Sequence, residues 1–119
     1  MLRRTALIVE DDDATRGLFR LALIFEGFQV FEATDGLEAL RLIEQDPPDI
    51  IILDLGLPIL SGHDVAKEVT ASAHTRRIPI LVVTGSDADL DSLHVDCVLR
   101  KPVDLDRLVR AVHRCRAAG

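Results

Sequence analysis

Short apolar runs that alternate with amphipathic stretches constrain the fold of this 119-residue chain more than any other feature. Three runs are rich in β-branched residues and bounded by polar or turn residues, as strands buried on both faces should be: 6–9, 50–53 and 80–83. Weaker mixed runs at 29–32 and 95–99 predict a second and a fifth strand. The chain therefore predicts five strands, with parallel ones at the centre.

Four stretches between or after these runs carry apolar residues at helical spacing. The predicted core-facing positions are Leu18, Leu21, Ala22 and Phe25; Leu37, Leu40 and Ile43; Val65, Ala66 and Val69; and Leu105, Leu108, Val109 and Val112. Pro47 and Pro48 close the second stretch, and Ser61 and Gly62 open the third. Only eleven residues, 85–95, separate the fourth strand from Asp96, so a fourth helix there should be short, irregular or missing.

A strand-then-helix unit repeated five times predicts a doubly wound α/β fold, in which helices cover both faces of a five-stranded parallel sheet. The length is below the roughly 150 residues typical of one domain, so residues 1–119 are expected to form a single domain.

Composition excludes several kinds of function. Fourteen Lys and Arg against twenty Asp and Glu give a net charge of −6, the wrong sign for direct binding to nucleic acid. No apolar run has the roughly 18 to 20 residues of a membrane span, and the start of the chain does not read as a secretory leader, so we expect a cytoplasmic protein outside the membrane. Cys97 and Cys115 lack metal-site spacing and are predicted to be two reduced thiols.

Polar residues follow four of the predicted strands: Glu10 and Asp11, Asp54, Thr84, and Lys101. The carboxyl ends of parallel strands meet at one edge of the sheet, which is where such folds bind ligands. Two carboxylates about 4 Å apart repel by about 4 kcal/mol at an effective dielectric constant of about 20, so a cation is required. Lys101 offsets part of this repulsion, and Mg²⁺ suits a carboxylate cluster. Asp12 and Asp13 are better explained as the start of a helix.

Asp54 directly follows an apolar strand, where an unpaired carboxylate would be costly. It must bind a metal, pair with a lysine, or be reactive. A carboxylate can attack phosphorus to form an aspartyl phosphate, with Thr84 donating a hydrogen bond and Lys101 supplying a positive charge. Taken singly, Thr84 could be an ordinary strand-end hydroxyl, and Lys101 a solvated or ion-paired lysine.

In their order and spacing, four segments resemble the receiver domain of two-component response regulators: Ile8-Val9-Glu10-Asp11-Asp12, Asp54-x-x-x-Pro58-x-x-x-Gly62, Val83-Thr84-Gly85 and Arg100-Lys101-Pro102. The resemblance covers essentially the whole chain and implies a flavodoxin-like fold. It implies that Asp54 is phosphorylated and that Thr84 and Lys101 contact the phosphoryl group. It also implies that Asp11, Asp54 and the Gly56 carbonyl bind Mg²⁺ with help from Glu10 through water, and that the Lys101–Pro102 bond is cis.

The implied function is a phosphoacceptor switch. A histidine kinase or histidine phosphotransfer protein donates the phosphoryl group to Asp54, and the modified domain changes a surface that binds a downstream protein or an output domain outside this chain. The domain would not be an enzyme for other substrates, since it catalyses only its own phosphorylation and dephosphorylation. Gly56 and Ser86 occupy positions that flank the site, where larger acidic or amide side chains could orient an attacking water. Neither residue can do so, which predicts a long-lived aspartyl phosphate.

Other functions fit less well or stay open. A haloacid-dehalogenase-like phosphatase needs a second aspartate where Gly56 stands, and a flavin-binding module needs a phosphate loop where four acids begin at Glu10. A receiver-like scaffold or dimerisation module that is never phosphorylated is the main alternative. Two departures from the family favour it, namely Val98 at the position of the usual switch aromatic and the short interval between Thr84 and Lys101.

Overall fold

Five parallel strands form one sheet in the computed structural model. The structure describes residues 3–85, 90, 93 and 95–118, except for the side chains of residues 117 and 118. The strands are β1 (Thr5–Val9), β2 (Gln29–Ala33), β3 (Ile50–Leu53), β4 (Ile80–Thr84) and β5 (Cys97–Arg100). Their order across the sheet is β2-β1-β3-β4-β5, and every neighbouring pair is parallel. All five predicted strands are confirmed, the last beginning two residues later than expected.

Four helices accompany the sheet among the described residues: α1 (Asp13–Phe25), α2 (Gly36–Gln45), α3 (Gly62–Ala71) and α4 (Leu105–Ala118). Each of the first three helices has an N-cap residue whose side chain accepts a hydrogen bond from the backbone N–H of the residue three positions later. These N-cap residues are Asp12, Asp35 and Ser61. Most of the connection between β4 and β5, where a short, irregular or missing helix is predicted, lies outside the described residues. None of the helices described is long and apolar enough to span a membrane.

Alternation along the strands divides the core into two layers. Ala6 and Ile8 of β1 pack into a cluster with α1 and α4, whereas Leu7 and Val9 pack into a second cluster with α2 and α3. Helices therefore cover both faces of a parallel sheet, which confirms the doubly wound α/β fold. β2 lies on one side of β1, whereas β3, β4 and β5 follow on the other side, so the strand order switches direction between β1 and β3. The crevice at the carboxyl ends of these two strands is the expected binding position.

The face that α1 buries is not the predicted one. Ala22 is buried as expected, but the side chains of Leu18, Leu21 and Phe25 are 53%, 49% and 86% exposed. The buried residues of the helix are Phe19, Ala22 and Leu23. Two apolar stripes lie side by side on α1, so helical spacing alone could not decide which one meets the sheet.

The prediction of two reduced thiols is also wrong in this structure. Cys97 of β5 and Cys115 of α4 form a disulfide, with their Cα atoms 5.9 Å apart, within the usual range for such a bond. The bond joins β5 to α4 through two cysteines that are 18 positions apart in the sequence. Sequence spacing carried no signal for this pair, because only the packing of α4 against the sheet brings the two sulfurs together.

Candidate functional site

Asp54 and Glu10 lie at the carboxyl ends of the two central strands, and the sheet itself fixes their backbones. Asp54 follows β3 and its N–H donates to the Val9 carbonyl at 3.0 Å, while Glu10 follows β1 and its N–H donates to the Ala33 carbonyl at 3.1 Å. Both side chains are largely withdrawn from solvent, with Asp54 9% exposed and Glu10 2% exposed. The two carboxylates are therefore held in a semi-buried crevice rather than on mobile loop tips.

Three carboxylates converge in this crevice. One oxygen each from Glu10, Asp11 and Asp54 lies within 4.8 Å of the others, and Asp11 is exposed on the open side. Hard oxygen ligands at this spacing, with one side accessible to water, match the coordination that Mg²⁺ prefers. The three acids of the predicted donor set therefore fit a small divalent cation.

Lys101 supplies the positive charge of the crevice. Its Nζ lies 2.6 Å from Glu10 Oε1 and 3.3 Å from Asp54 Oδ2. The backbone N–H of Lys101 donates to the Thr84 carbonyl at 3.0 Å, so the residue continues the pairing of β4 and β5. Lys101 is therefore an ion-paired lysine and not a solvated one. Its partners, Glu10 and Asp54, are carboxylates that the phosphoacceptor hypothesis requires.

The pKa shifts follow from this arrangement. Burial raises the pKa of Glu10, and the neighbouring Asp54 charge adds to the rise, although hydrogen bonds from Lys101 and the Asp12 N–H oppose it. Burial by itself would lower the pKa of Lys101, but its hydrogen bond to Glu10 and the charges of Asp54 and Glu10 prevail and raise it. Lys101 therefore stays positively charged at neutral pH, which is the state needed to attract a phosphoryl group.

Each oxygen of Asp54 has its own donor, because the Gly56 N–H donates to Oδ1 at 3.2 Å and Lys101 approaches Oδ2. Gly62 fixes the loop after Asp54. A Cβ at Gly62 would overlap the Asp54 carbonyl oxygen and the Leu55 Cα, so only glycine lets the start of α3 approach this closely. The Gly62 N–H also donates to the Leu55 carbonyl at 3.1 Å.

The structure places the other predicted residues as follows. Thr84 is buried at the carboxyl end of β4, between the strands that lead to Asp54 and Lys101. The Lys101–Pro102 bond is cis, as the resemblance implies. Gly56 is exposed, with no heavy atom within 4 Å of an added Cβ. Ser86, which was paired with Gly56 in the prediction of a long-lived phosphate, lies outside the described residues.

Asp12 and Asp13 serve the helix start, as predicted. Asp12 accepts hydrogen bonds from the Thr15 N–H at 2.8 Å and from its hydroxyl at 2.6 Å, while Asp13 pairs with Arg16 at 2.7 Å. Arg16 was missed by the sequence reasoning, although it stands three residues after Asp13 at helical pairing distance. Its guanidinium donates to the Glu10 backbone carbonyl at 3.0 Å. This bond restrains the turn between β1 and α1, which carries Glu10 and Asp11.

Comparisons with known proteins point to one family. The family model of the response regulator receiver domain matches residues 6–113. Response regulator MprA of Mycobacterium leprae is 37% identical over 112 residues, which are 89% of this chain and 48% of MprA. The chain spans about half the length of the curated relatives it matches.

Solved structures of receiver domains have the same fold. Chemotaxis response regulator CheY4 of Vibrio cholerae superposes with a TM-score of 0.88 and 25% identity, covering 96% of this chain and 99% of CheY4. The receiver domain of the sensor histidine kinase PA1611 of Pseudomonas aeruginosa gives 0.89 and 27%, covering 98% of this chain and 99% of that domain. That structure has a magnesium ion coordinated in its active site cleft.

Proposed function

The chain belongs to the response regulator receiver domain family, and we propose that its Asp54 accepts a phosphoryl group from a phosphohistidine on a histidine kinase or histidine phosphotransfer protein. The observation that carries the proposal is the buried Asp54 carboxylate, which lies within 4.8 Å of two further acids and 3.3 Å from a lysine ammonium. A carboxylate in such a site is either neutralised permanently or used as a nucleophile, and the open side at Asp11 admits a donor.

In the proposed reaction, an Asp54 oxygen attacks phosphorus, the phosphorus–nitrogen bond to the imidazole breaks, and the imidazole nitrogen takes up a proton from water. Lys101 turns from its carboxylate partners toward a phosphoryl oxygen, and the Thr84 hydroxyl donates to another. Glu10, Asp11, Asp54 and the Gly56 carbonyl are the groups that would hold Mg²⁺, which contributes by neutralising charge on the phosphoryl oxygens. The domain acts only on itself, and later hydrolysis of the aspartyl phosphate resets it.

The surface beside the crevice supports docking of such a donor. The exposed stripe of α1 begins beside the crevice at Leu18, which lines a groove with Lys101, Pro102 and Leu105. From there the stripe continues along the helix through Leu21 to Phe25. Apolar side chains left in solvent next to a reactive group are typical of a protein-binding surface. A donor helix packed on this stripe would present its phosphohistidine to Asp54.

The output is a change in the surface formed by β4, β5 and α4. Movement of Thr84 and Lys101 toward the phosphoryl group pulls on the ends of β4 and β5, which carry these residues. Position 98 on β5 is a valine that is 36% exposed, and because it is not aromatic the readout does not use a ring there. The proposed recipient is a downstream protein or an output domain outside this chain, and the proposed location of the exchange is the cytoplasm.

Intact-mass analysis tests the proposal. The purified chain is incubated with Mg²⁺ and a small acyl phosphate, and the wild type is expected to gain one phosphoryl group that hydroxylamine removes. Asp54→Asn should gain none, whereas Asp106→Asn, which changes an exposed acid on α4 outside the carboxylate cluster, should be labelled like the wild type. A wild type that stays unlabelled with every phosphodonor would favour the alternative of a scaffold or dimerisation module.

A further inference from the structure

The disulfide between Cys97 and Cys115 ties an edge strand to the last helix. β5 lies at the end of the strand order and pairs only with β4 among the described strands. Cys115 is completely buried in α4, whereas Cys97 is partly exposed on β5. Cys97 packs against the core cluster that contains Cys115, and it is the one of the two cysteines that a reagent arriving from solvent can reach.

We propose that Cys97 and Cys115 form a thiol–disulfide exchange site for low-molecular-weight disulfides, and that it gives the domain a redox input. The second half of this inference rests on the proposed phosphoacceptor function. Disulfides in cytosolic proteins are usually transient and catalytic or redox-sensing, so a bond between these two residues in the proposed compartment would be reversible.

The exchange balances without any other reactant. The Cys97 thiolate attacks one sulfur of the small disulfide, which forms a mixed disulfide and releases one thiolate. The Cys115 thiolate then attacks the Cys97 sulfur, which forms the internal bond and releases the second thiolate. The two protein thiols are oxidised, the small disulfide is reduced to two thiols, and the protons lost by the protein thiols are taken up by the released thiolates. The Cα separation of 5.9 Å lets the second step occur without a backbone rearrangement.

The closed loop contains a residue of the phosphoacceptor site. Residues 97–115 include Lys101, and they run from β5 through a short connection into α4. The connection restrains β5 against α4 near Lys101, and the disulfide restrains them at the opposite end of the strand. Leu108, Ala111 and Val112 pack the buried face of α4 against the sheet without a covalent bond, which the disulfide adds. Oxidation therefore limits the relative movement of the two elements that the proposed switch displaces.

Mass analysis with oxidised glutathione tests the exchange itself. Reduced wild-type protein is expected to lose two hydrogen atoms and to retain no glutathione. Cys115→Ala should retain one glutathione on Cys97, because the resolving thiol is missing. Cys97→Ser, a change at a partly exposed position that leaves the buried thiol in place, should retain none. A wild type that keeps glutathione adducts, or that does not react, overturns the exchange site.

Labelling by a small acyl phosphate with Mg²⁺ then tests the redox input. Oxidised wild type is expected to be labelled about fivefold or more slowly than reduced wild type, the lower range of an allosteric coupling. Cys97→Ser should be labelled at one rate after either treatment. Equal rates for the two wild-type forms overturn the redox input. If neither form is labelled, the phosphoacceptor function fails instead, and the mass experiment still decides whether the exchange site exists.

Discussion

Ile59 holds a backbone conformation that its own side chain disfavours. Its φ is 69°, and the Leu60 N–H donates to the Pro58 carbonyl at 2.7 Å, which closes a γ-turn around it. A β-branched residue in the left-handed region costs about 1–2 kcal/mol. The side chain is 78% exposed, so packing returns little of this cost. The strain lies in the loop that connects Asp54 to α3.

Replacing Ile59 by a residue that tolerates this conformation should stabilise the protein. We expect Ile59→Asn to raise the free energy of unfolding by about 1 kcal/mol, because asparagine adopts the left-handed region at low cost. Urea unfolding of the two proteins measures the difference. Ile24→Asn is the matched control, since Ile24 is a solvent-exposed isoleucine within α1, and it should bring no gain. A loss of stability in Ile59→Asn would show that the exposed side chain makes a compensating interaction.

Gly56 sets the predicted lifetime of the aspartyl phosphate. It follows Asp54 by two residues, and a Cβ added there would have no described heavy atom within 4 Å beyond its chain neighbours. Gly56→Asn should shorten the lifetime several-fold, because an amide beside the phosphoryl group can orient water for attack on phosphorus. Decay of the label after removal of the donor measures this. Gly17→Asn, at another open glycine on α1, should leave the decay unchanged, and loss of the wild-type label within a few minutes would contradict the prediction.

The helices show where sequence periodicity suffices and where it does not. α3 has one apolar stripe, and its residues Val65, Ala66 and Val69 are all buried as predicted. α1 has two stripes, and the one that includes Phe19 packs on the sheet while the one that includes Leu21 stays in solvent. A functional surface can carry the same periodicity as a core face, so spacing alone does not distinguish them.

The exposed stripe of α1 is expected to act in transfer between proteins and not in the chemistry. Leu21→Asp should lower the rate of labelling by a phosphorylated histidine phosphotransfer protein about tenfold or more, as loss of an apolar anchor in an interface does. Labelling by a small acyl phosphate should stay unchanged, because Leu21 does not belong to the carboxylate crevice. Leu37→Asp, at an exposed leucine of α2, is the matched control and should keep both rates. Equal loss with both donors would mean that the substitution harms the site itself.

At the scale of the whole molecule, topology explains which predictions succeeded. Glu10, Asp54 and Lys101 are far apart in the sequence, yet each follows a strand of one parallel sheet, and the ends of such strands must meet. The sequence could therefore predict the crevice before any distance was known. The Cys97–Cys115 bond has no comparable rule, because it depends on how far α4 slides along β5 when it packs. Arg16 was missed for a similar reason, since its bond to the Glu10 carbonyl depends on the angle at which α1 leaves the sheet.

The acidic crevice also links metal binding to the stability of the fold. Glu10, Asp11 and Asp54 come together only in the folded chain, so Mg²⁺ should bind the native state and raise the free energy of unfolding by about 1.4 kcal/mol at ten times its dissociation constant. Urea unfolding with and without Mg²⁺ at constant ionic strength measures this increment. Asp11→Asn should lose the increment and be at least as stable as the wild type without metal, because one repelling carboxylate is gone. Asp106→Asn should keep the increment, and an equal response of all three proteins would show that Mg²⁺ acts outside the crevice.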